Sequence, residues 1–141
     1  MIDRFDGTEY EFLSNFAYAS VHYEGILYPT SEHAYQAAKF APIKTKKYIA
    51  RLQTPNLAKQ AGRRPGLRED WEEVKDMIMY EIVLLKFVQN DEIRRRLLAT
   101  GEEILVEGNT WHDTYWGQCP VGNGRNQLGI TLMRVREELR L

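Results

Sequence analysis

Glu32 and Lys39 are the two residues whose types and spacing first suggest chemistry in this sequence. Seven residues make almost two helical turns, so Glu32, Gln36 and Lys39 would line one face of a helix. In the first turn of that helix, the helix dipole favours an ionised carboxylate. Such a carboxylate suits a base, or a charge that stabilises a developing cation. Spacing alone favours the alternative, a solvated charged stripe on a surface helix.

A long polar loop, residues 109–129, is the second candidate site. Trp111, Tyr115 and Trp116 fall within six positions of one another, beside His112 and Asp113. Aromatic side chains in a polar loop suit stacking on a flat heterocycle. Plugging the edge of the core is an equally compatible role for them. Loops of this length are uncommon in compact domains and are often functional.

The end of that loop, GNGRNQLG (122–129), leads into the last predicted helix. Its glycines, Gly124 among them, allow close backbone approach, and the helix N-terminus after them could accept a phosphate. The spacing does not fit G-x-G-x-x-G, so the phosphate signal is weak. Arg125, Arg63, Arg64 and Arg68 could contact phosphate, although surface arginines usually have no specific role.

Other reaction chemistries find little support in the residue spacing. The three histidines, His22, His33 and His112, show no metal-ligand spacing, and we expect neither a metal ion nor another cofactor. Cys119 has Pro120 beside it and His112 as its only nearby base. Single cysteines are usually inert, so a cysteine nucleophile is not expected.

Length and charge predict an ordinary globular protein. The 141 residues suit one domain, 1–141, and a formal net charge of −1 gives no polybasic argument for nucleic acid or membrane. A nucleic acid could still be a substrate, because a local site need not alter the overall charge. The single cysteine fits a reducing cytosol, and the polar N-terminus and absence of 18-residue apolar runs predict a cytoplasmic protein without membrane association.

The elements that must position these residues are mostly helices. A hairpin over 21–29, turning at Glu24-Gly25, precedes a helix that begins at Thr30 or Ser31 and stops at Pro42. Further helices are predicted over 45–52, from 55 to 62, from 70 to about 89, from 91 to 100, and at the end of the chain after the long loop, with a short strand at 104–108. The pattern predicts a predominantly helical α+β domain.

The helix over 70–89 is the most apolar and is predicted to be the central core helix. Asp70 and Glu73 form a D-x-x-E capping box at its start. Its apolar residues recur at helical spacing, and those of the last helix form an inward stripe. They are Val74, Met77, Ile78, Ile82 and Leu85, and then Leu128, Leu132, Val135 and Leu139.

Five blocks, taken together, resemble the NADAR family, which includes the YbiA-like N-glycosidases. They are FLSNF (12–16), YPTSEHAYQAAKF (28–40), RPGLREDWEEVKDMIMYEIVLLKF (64–87), WHDTYWG (111–117) and GNGRNQLG (122–129). Each block alone is weak, but five in the right order across nearly the whole chain are specific. The loop departs from the family pattern, because Cys119 stands where a glycine is usual and Pro120 stiffens the backbone beside it.

The resemblance implies a mainly helical α+β fold and cleavage of an N-glycosidic bond between a ribose and an amino-heterocycle. Two substrate classes are expected from it. The first is the phosphoribosylamino-pyrimidine intermediates of riboflavin biosynthesis, and the second is ADP-ribose attached to guanine in DNA or RNA. The alternative is a non-catalytic binding module for ADP-ribosyl or NAD-derived nucleotides. A plain helical interaction domain is a third interpretation, and oligomeric state is left open.

The same resemblance assigns roles to individual residues. Three residues are expected to be catalytic: Glu32 as the key carboxylate, Lys39 as the residue that forms a Schiff base with ring-opened ribose, and Asp113 as the acidic neighbour of the stacking aromatics. The remaining residues are expected to bind substrate by stacking or by contacts to ribose and phosphate. They are Asn15, Trp71, Tyr115, Trp116, Gly124, Arg125 and Asn126.

Overall fold

A computed structural model of the protein describes residues 1–141 and contains six α-helices and one two-stranded sheet. A short 3-10 helix, Glu11–Leu13, precedes strands β1 (Val21–Tyr23) and β2 (Ile26–Tyr28). The helices are α1 (Ser31–Ala38), α2 (Ile43–Ala50), α3 (Pro55–Ala61), α4 (Trp71–Gln89), α5 (Asp91–Ala99) and α6 (Gln127–Leu139). The predominantly helical α+β fold is confirmed. None of these helices combines the length and the apolar composition needed to span a membrane.

The chain forms two compact units. One comprises Asn15–Asn90, and the other comprises Met1–Ser14 together with Asp91–Leu141. The first is called the α1 unit below, and the second the loop unit. A single domain over 1–141 stays a prediction.

The α1 unit begins with the predicted hairpin. β1 and β2 are antiparallel, with Val21 opposite Tyr28 and Tyr23 opposite Ile26. The two turn residues, Glu24 and Gly25, both have positive φ, of 50° and 84°. Two-residue hairpin turns of type I′ require this at both positions.

Helix α1 is buried on all sides, since all eight of its residues are buried. It packs against α2, α3 and α4. Its start is fixed by Thr30, whose hydroxyl oxygen accepts a hydrogen bond from the backbone amide of His33 at 3.1 Å. The interpretation of Glu32 as part of a solvated surface stripe is therefore wrong, and Lys39, the residue after the helix, is half-buried.

The neighbouring helices begin as their sequences suggest, with small shifts. Helix α2 begins at Ile43, two residues before the predicted start, because Pro42 takes the N-cap position in extended conformation. At α3, Thr54 accepts a hydrogen bond from the Leu57 amide, and Pro55 occupies the first helical position, where its missing N–H costs nothing.

Helix α4 corrects two predictions. The Asp70 side chain makes no capping bond; both its oxygens accept from Arg68 instead, at 2.6 and 3.0 Å, so the capping box is wrong. Met77 is 57% exposed, so its place in the core stripe is also wrong. The buried face runs through Trp71, Ile78, Met79, Ile82, Val83, Lys86 and Phe87, while Val74 and Leu85 are half-buried.

The loop unit lacks the predicted strand at 104–108. Leu105 pairs with Ile2 and Gly108 with Gln118, but each pair is an isolated bridge. The strand prediction is wrong because no partner segment runs alongside for more than one residue. Helix α5 includes Asp91 as its first residue rather than its cap. The α6 stripe is confirmed for Leu128, Leu132 and Val135, while Leu139 is half-buried.

His33 gives the α1 unit an expected acid sensitivity. Its Nδ1 lies 2.7 Å from the Thr30 hydroxyl oxygen and its Nε2 lies 2.9 Å from the Leu52 carbonyl oxygen. Burial lowers its pKa below the ordinary 6.5, although the bond to Leu52 opposes that shift. The unfolded chain therefore takes up a proton more readily, and folding stability falls as the pH drops below about 6.5.

Urea unfolding of wild type and His33→Gln at about pH 7.5 and about pH 5.5 measures this effect. The variant is expected to lose less stability between the two pH values than wild type, because it lacks the group that titrates. An equal loss in both proteins would remove His33 as the cause.

Candidate active site

The predicted site residues fall into two sets, one in each unit. Asn15, Glu32, Lys39 and Trp71 belong to the α1 unit. The loop unit holds the other six, namely Asp113, Tyr115, Trp116, Gly124, Arg125 and Asn126.

Glu32 lies in the first turn of α1 with 8% of its surface exposed. One helical turn later, the side-chain amide of Gln36 donates a hydrogen bond to its carboxylate at 2.8 Å. Gln36 is itself 5% exposed, and its amide oxygen Oε1 is buried without a hydrogen-bond partner. A buried acceptor left unpaired costs about 1–3 kcal/mol, so this oxygen stands out as an open acceptor beside the carboxylate.

Gly62, which ends α3, packs directly against this pair of side chains. A Cβ atom added to Gly62 would stand 1.8 Å from Gln36 Oε1 and 3.4 Å from Lys39 Nζ. Because Gly62 has no Cβ atom, the Gln36 amide can occupy this space. This contact was not predicted from the sequence. Gly62 can be recognised there only as the end of a helix, and the residues of α1 that it contacts are decided by tertiary packing.

Lys39 is the C-cap residue of α1, and its ammonium group lies 5.6 Å from the centroid of the Tyr35 ring. Its pKa is lowered from the usual value chiefly because burial disfavours the charged form. Glu32 opposes the shift, while Arg63 and Lys75 add to it. Burial therefore outweighs the neighbouring carboxylate, and a larger fraction of Lys39 is neutral amine than in water.

Trp71 and Asn15 are more buried than expected for residues that stack on a substrate or bind its ribose. Trp71 is 5% exposed, and its ring lies 5.2 Å from the Tyr35 ring at an interplanar angle of 56°. Asn15 Oδ1 accepts from the Ser31 hydroxyl at 2.8 Å, and its backbone carbonyl accepts from the Glu32 amide at 3.0 Å. These contacts favour roles in anchoring α1, and direct contact with substrate stays a prediction for both residues.

The Asp113 side chain accepts hydrogen bonds from backbone amides of the long loop 109–129, called the aromatic loop below. Its Oδ1 accepts from the Tyr115 amide at 3.1 Å and from the Trp116 amide at 3.0 Å. The Asn109 side chain in turn bonds the Asp113 backbone, with its amide group donating to the carbonyl at 2.9 Å. The carboxylate therefore fixes the turn that presents the two aromatics.

Tyr115 and Trp116 are both half-buried and meet edge to face, with ring centroids 4.9 Å apart at 79°. The guanidinium carbon of Arg125 lies 5.0 Å from the Tyr115 centroid, within cation–π range. Trp111 is 50% exposed. The loop unit thus presents aromatic surface together with a cation.

The glycine-rich part of the loop folds back on itself. Gly124 has a φ of 140°, and a Cβ there would stand 2.4 Å from the Gly117 carbonyl oxygen, so no other residue fits. Cys119 and Pro120 are the residues that depart from the family pattern. The Cys119 amide donates to the Asn123 carbonyl and the Gly122 amide donates to the Cys119 carbonyl, both at 2.9 Å. Cys119 and Pro120 therefore belong to a closed turn.

Asn126 ties the loop to the segment 105–107. Its Oδ1 accepts from the Glu107 amide and its Nδ2 donates to the Leu105 carbonyl, both at 2.9 Å. It precedes α6 in the left-handed conformation, with φ of 51°. These bonds favour a structural role for its side chain, and direct contact with ribose or phosphate stays a prediction.

The first amides of α6 are already engaged. The Gln127 amide donates to the Tyr115 carbonyl and the Leu128 amide donates to the Trp116 carbonyl, both at 3.0 Å. Two of the donors that a phosphate would need at this helix N-terminus are therefore taken.

Replacing Asn126 by Ala is expected to destabilise the protein by about 2–3 kcal/mol, because it leaves a buried amide and a buried carbonyl without partners. Urea unfolding measures the change. Asn123→Ala is the control, since Asn123 is exposed and contributes its backbone carbonyl to the turn. Equal stability of the two variants would contradict this role of Asn126.

Comparison with known proteins identifies the family. The NADAR domain pattern matches residues 4–140. The N-glycosidase YbiA of Escherichia coli strain K12 is 42% identical over 133 residues, which cover 93% of this chain and 82% of that protein. An N-glycosidase of Nostoc punctiforme is 43% identical over 136 residues, covering 93% of this chain and 86% of that protein.

Two further similarities extend the comparison. A riboflavin biosynthesis protein of Vibrio vulnificus is 39% identical over 130 residues, covering 91% of this chain and 35% of that protein. The NMR structure of E. coli YbiA matches this fold with a TM-score of 0.88 at 40% identity, covering 99% of this chain and 85% of that chain. The chain therefore belongs to the NADAR domain family.

Proposed function

We propose that the protein is an N-glycosidase that hydrolyses the bond between a ribose and an amino-heterocycle, with its reacting groups on α1. The observation that carries the proposal is the arrangement of Glu32 and Gln36 on the buried helix α1, with Lys39 at its C-cap. Relatives 42% and 43% identical to this chain are named N-glycosidases, which supports the same reaction class here.

Lys39 is the proposed nucleophile. Its neutral amine adds to C1′ of the ring-opened ribose, and the bond from C1′ to the heterocycle nitrogen then breaks. The electron pair of that bond and a proton leave with the nitrogen as a free amine, and C1′ stays joined to Lys39 as a Schiff base. Water hydrolyses the Schiff base, which regenerates the lysine and releases the ribose as an aldehyde. The lowered pKa of Lys39 supports this role, since only the neutral amine attacks.

Glu32 is the proposed electrostatic and proton-transfer group. Positive charge develops at C1′ as the bond to nitrogen breaks, and a buried carboxylate stabilises such charge more strongly than one in water. The same carboxylate takes the proton that the Lys39 amine loses on adding to C1′ and delivers it to the departing nitrogen, and it later accepts a proton from the water that hydrolyses the Schiff base. Its near-complete burial and its hydrogen bond from Gln36 support a fixed orientation for both tasks.

The aromatic loop is proposed to recognise the flat part of the substrate. Tyr115 and Trp116 would stack on a heterocycle, and Arg125 would contact phosphate. Their partial exposure and the cation–π contact support these roles. Asp113 acts through the backbone amides that it holds, and Gly124 through the closed path of the loop.

A phosphoribosylamino-pyrimidine is the first candidate substrate. A relative 39% identical to this chain is named a riboflavin biosynthesis protein, which supports a substrate of that chemistry. ADP-ribosylated guanine in nucleic acid is the second candidate, favoured by an uneven distribution of charge. Residues 33–68 contain nine lysines and arginines and no aspartate or glutamate, although the net charge of the chain is −1.

This basic segment contains α2 and α3, both of which pack against α1. Exposed cations in this segment would attract the phosphate backbone of a polyanionic substrate more than a small phosphorylated one. They include Lys44, Lys47, Arg51, Arg63 and Arg64.

The test is to measure kcat/KM for both substrates over a range of salt concentrations. For the nucleic acid, kcat/KM is expected to fall steeply with salt, and removing two charges by Lys44→Gln and Lys47→Gln should lower it further. The pyrimidine substrate should respond weakly to both changes. Arg95→Gln, an exposed charge on α5, is the control. Cleavage of the pyrimidine substrate alone would exclude the nucleic-acid candidate. Cleavage of the nucleic-acid substrate alone would exclude the pyrimidine candidate.

A further inference from the structure

We propose that Gln36 is a positioning residue that links Glu32 to Lys39, and that Gly62 determines the conformation in which it does so. The inference rests on the proposed function, because it assigns two further residues to the same reaction. The sequence predicts Gln36 only as a member of the helix face that carries Glu32 and Lys39, and Gly62 only as the end of a helix.

Gln36 has one polar atom engaged with Glu32 and one that is open. Its amide nitrogen donates to the Glu32 carboxylate at 2.8 Å, while its buried Oε1 has no partner. Buried polar groups in folded proteins are nearly always paired, so an open acceptor on the side chain that holds the Glu32 carboxylate points to a function. It is placed to accept an N–H from Lys39, whose Nζ borders the same space beside Gly62.

The requirement for glycine at position 62 is steric rather than conformational. Gly62 has a φ of −67°, which any residue adopts readily in a helix. Its Cα nevertheless faces the Gln36 side chain so closely that an added Cβ would stand 1.8 Å from Oε1 and 2.7 Å from Cδ. Because these atoms are the far end of a flexible side chain, an alanine at position 62 would displace the Gln36 amide and leave the helix in place.

Displacement of the amide would break its hydrogen bond to Glu32 and free the carboxylate to rotate. A small misplacement of a reacting group costs rate more than binding. Gly62→Ala is therefore expected to lower kcat about 10- to 100-fold, with KM changed less than about twofold. Gln36→Met, which fills similar space without a donor, is expected to give a similar loss.

A double-mutant cycle separates this role from a general effect on folding. Gln36→Ala removes the atoms that an alanine at position 62 would strike, so the Gln36→Ala/Gly62→Ala double variant should have the kcat of Gln36→Ala alone. Gln60→Ala, an exposed glutamine on α3, is the control and should keep wild-type kcat. Additive losses in the double variant, or wild-type kcat in Gly62→Ala, would overturn the inference.

NMR of the Gln36 side-chain amide provides a readout that needs no catalysis. The signal is assigned by its loss in Gln36→Ala. In wild type its hydrogens should exchange slowly with water, and in Gly62→Ala they should exchange faster at a shifted resonance. An unchanged signal would overturn the inference, whereas absence of base release by the wild-type protein would contradict the proposed function.

Discussion

Replacing Glu32 by Gln is expected to lower kcat for base release about 1,000-fold while the protein stays folded. The amide has nearly the shape of the carboxylate, so the packing of α1 around this buried position is retained. It carries no negative charge to stabilise the cation at C1′, and it cannot accept a proton from water. Base release is followed by chromatography, and folding by thermal unfolding of the same samples.

Glu73→Gln is the control for this prediction, because Glu73 is an exposed residue in the first turn of α4. It should release base at the wild-type rate. If Glu32→Gln also kept that rate, the carboxylate on α1 would have no part in bond breaking.

Replacing Lys39 by Ala is expected to have the second large effect, again about 1,000-fold on kcat, with loss of a protein–ribose adduct. In wild type, borohydride reduces the proposed Schiff base to a stable amine, which mass spectrometry locates. Lys39→Arg should also form no adduct, because a guanidinium keeps the positive charge without a nucleophilic amine.

Lys46→Met is the control for the lysine chemistry. Burial also lowers the pKa of Lys46, so a merely reactive lysine would be trapped there too. The adduct should survive in Lys46→Met and vanish in Lys39→Ala. An adduct that persisted without Lys39 would assign the Schiff base to another residue.

The pH dependence of kcat should follow the neutral fraction of Lys39. Because burial lowers its pKa, the amine loses its proton at a lower pH than an exposed lysine does. The rate is therefore expected to rise with pH through that lowered pKa and to level off before the usual lysine value of 10.5. A rate that still rose above that value would contradict a buried nucleophile.

The sequence predicted α1 well because its signals are local. Thr30 caps the start, alanines fill the interior, and helical spacing places Glu32, Gln36 and Lys39 along one side. What spacing could not predict is that the whole helix is buried. That depends on α2, α3 and α4 packing around it, which is a tertiary property.

The errors in prediction arose where a local sequence signal depends on contacts that the sequence pattern does not contain. Asp70 has the position of a capping residue, but Arg68 two residues earlier binds both of its oxygens. Residues 104–108 have strand-forming side chains, but only single-residue partners are available. The close approach of Gly62 to Gln36 joins two helices and leaves no pattern in the sequence.

The most direct test is to incubate the purified protein with a phosphoribosylamino-pyrimidine and, separately, with an ADP-ribosylated guanine oligonucleotide. The products are then quantified over time: the free aminopyrimidine and the ribose phosphate from the first substrate, and the unmodified oligonucleotide and ADP-ribose from the second. The proposed N-glycosidase releases the two products in equal amounts from at least one substrate. Tight binding of both substrates, with neither product released over hours, would contradict that function and favour a non-catalytic binding module.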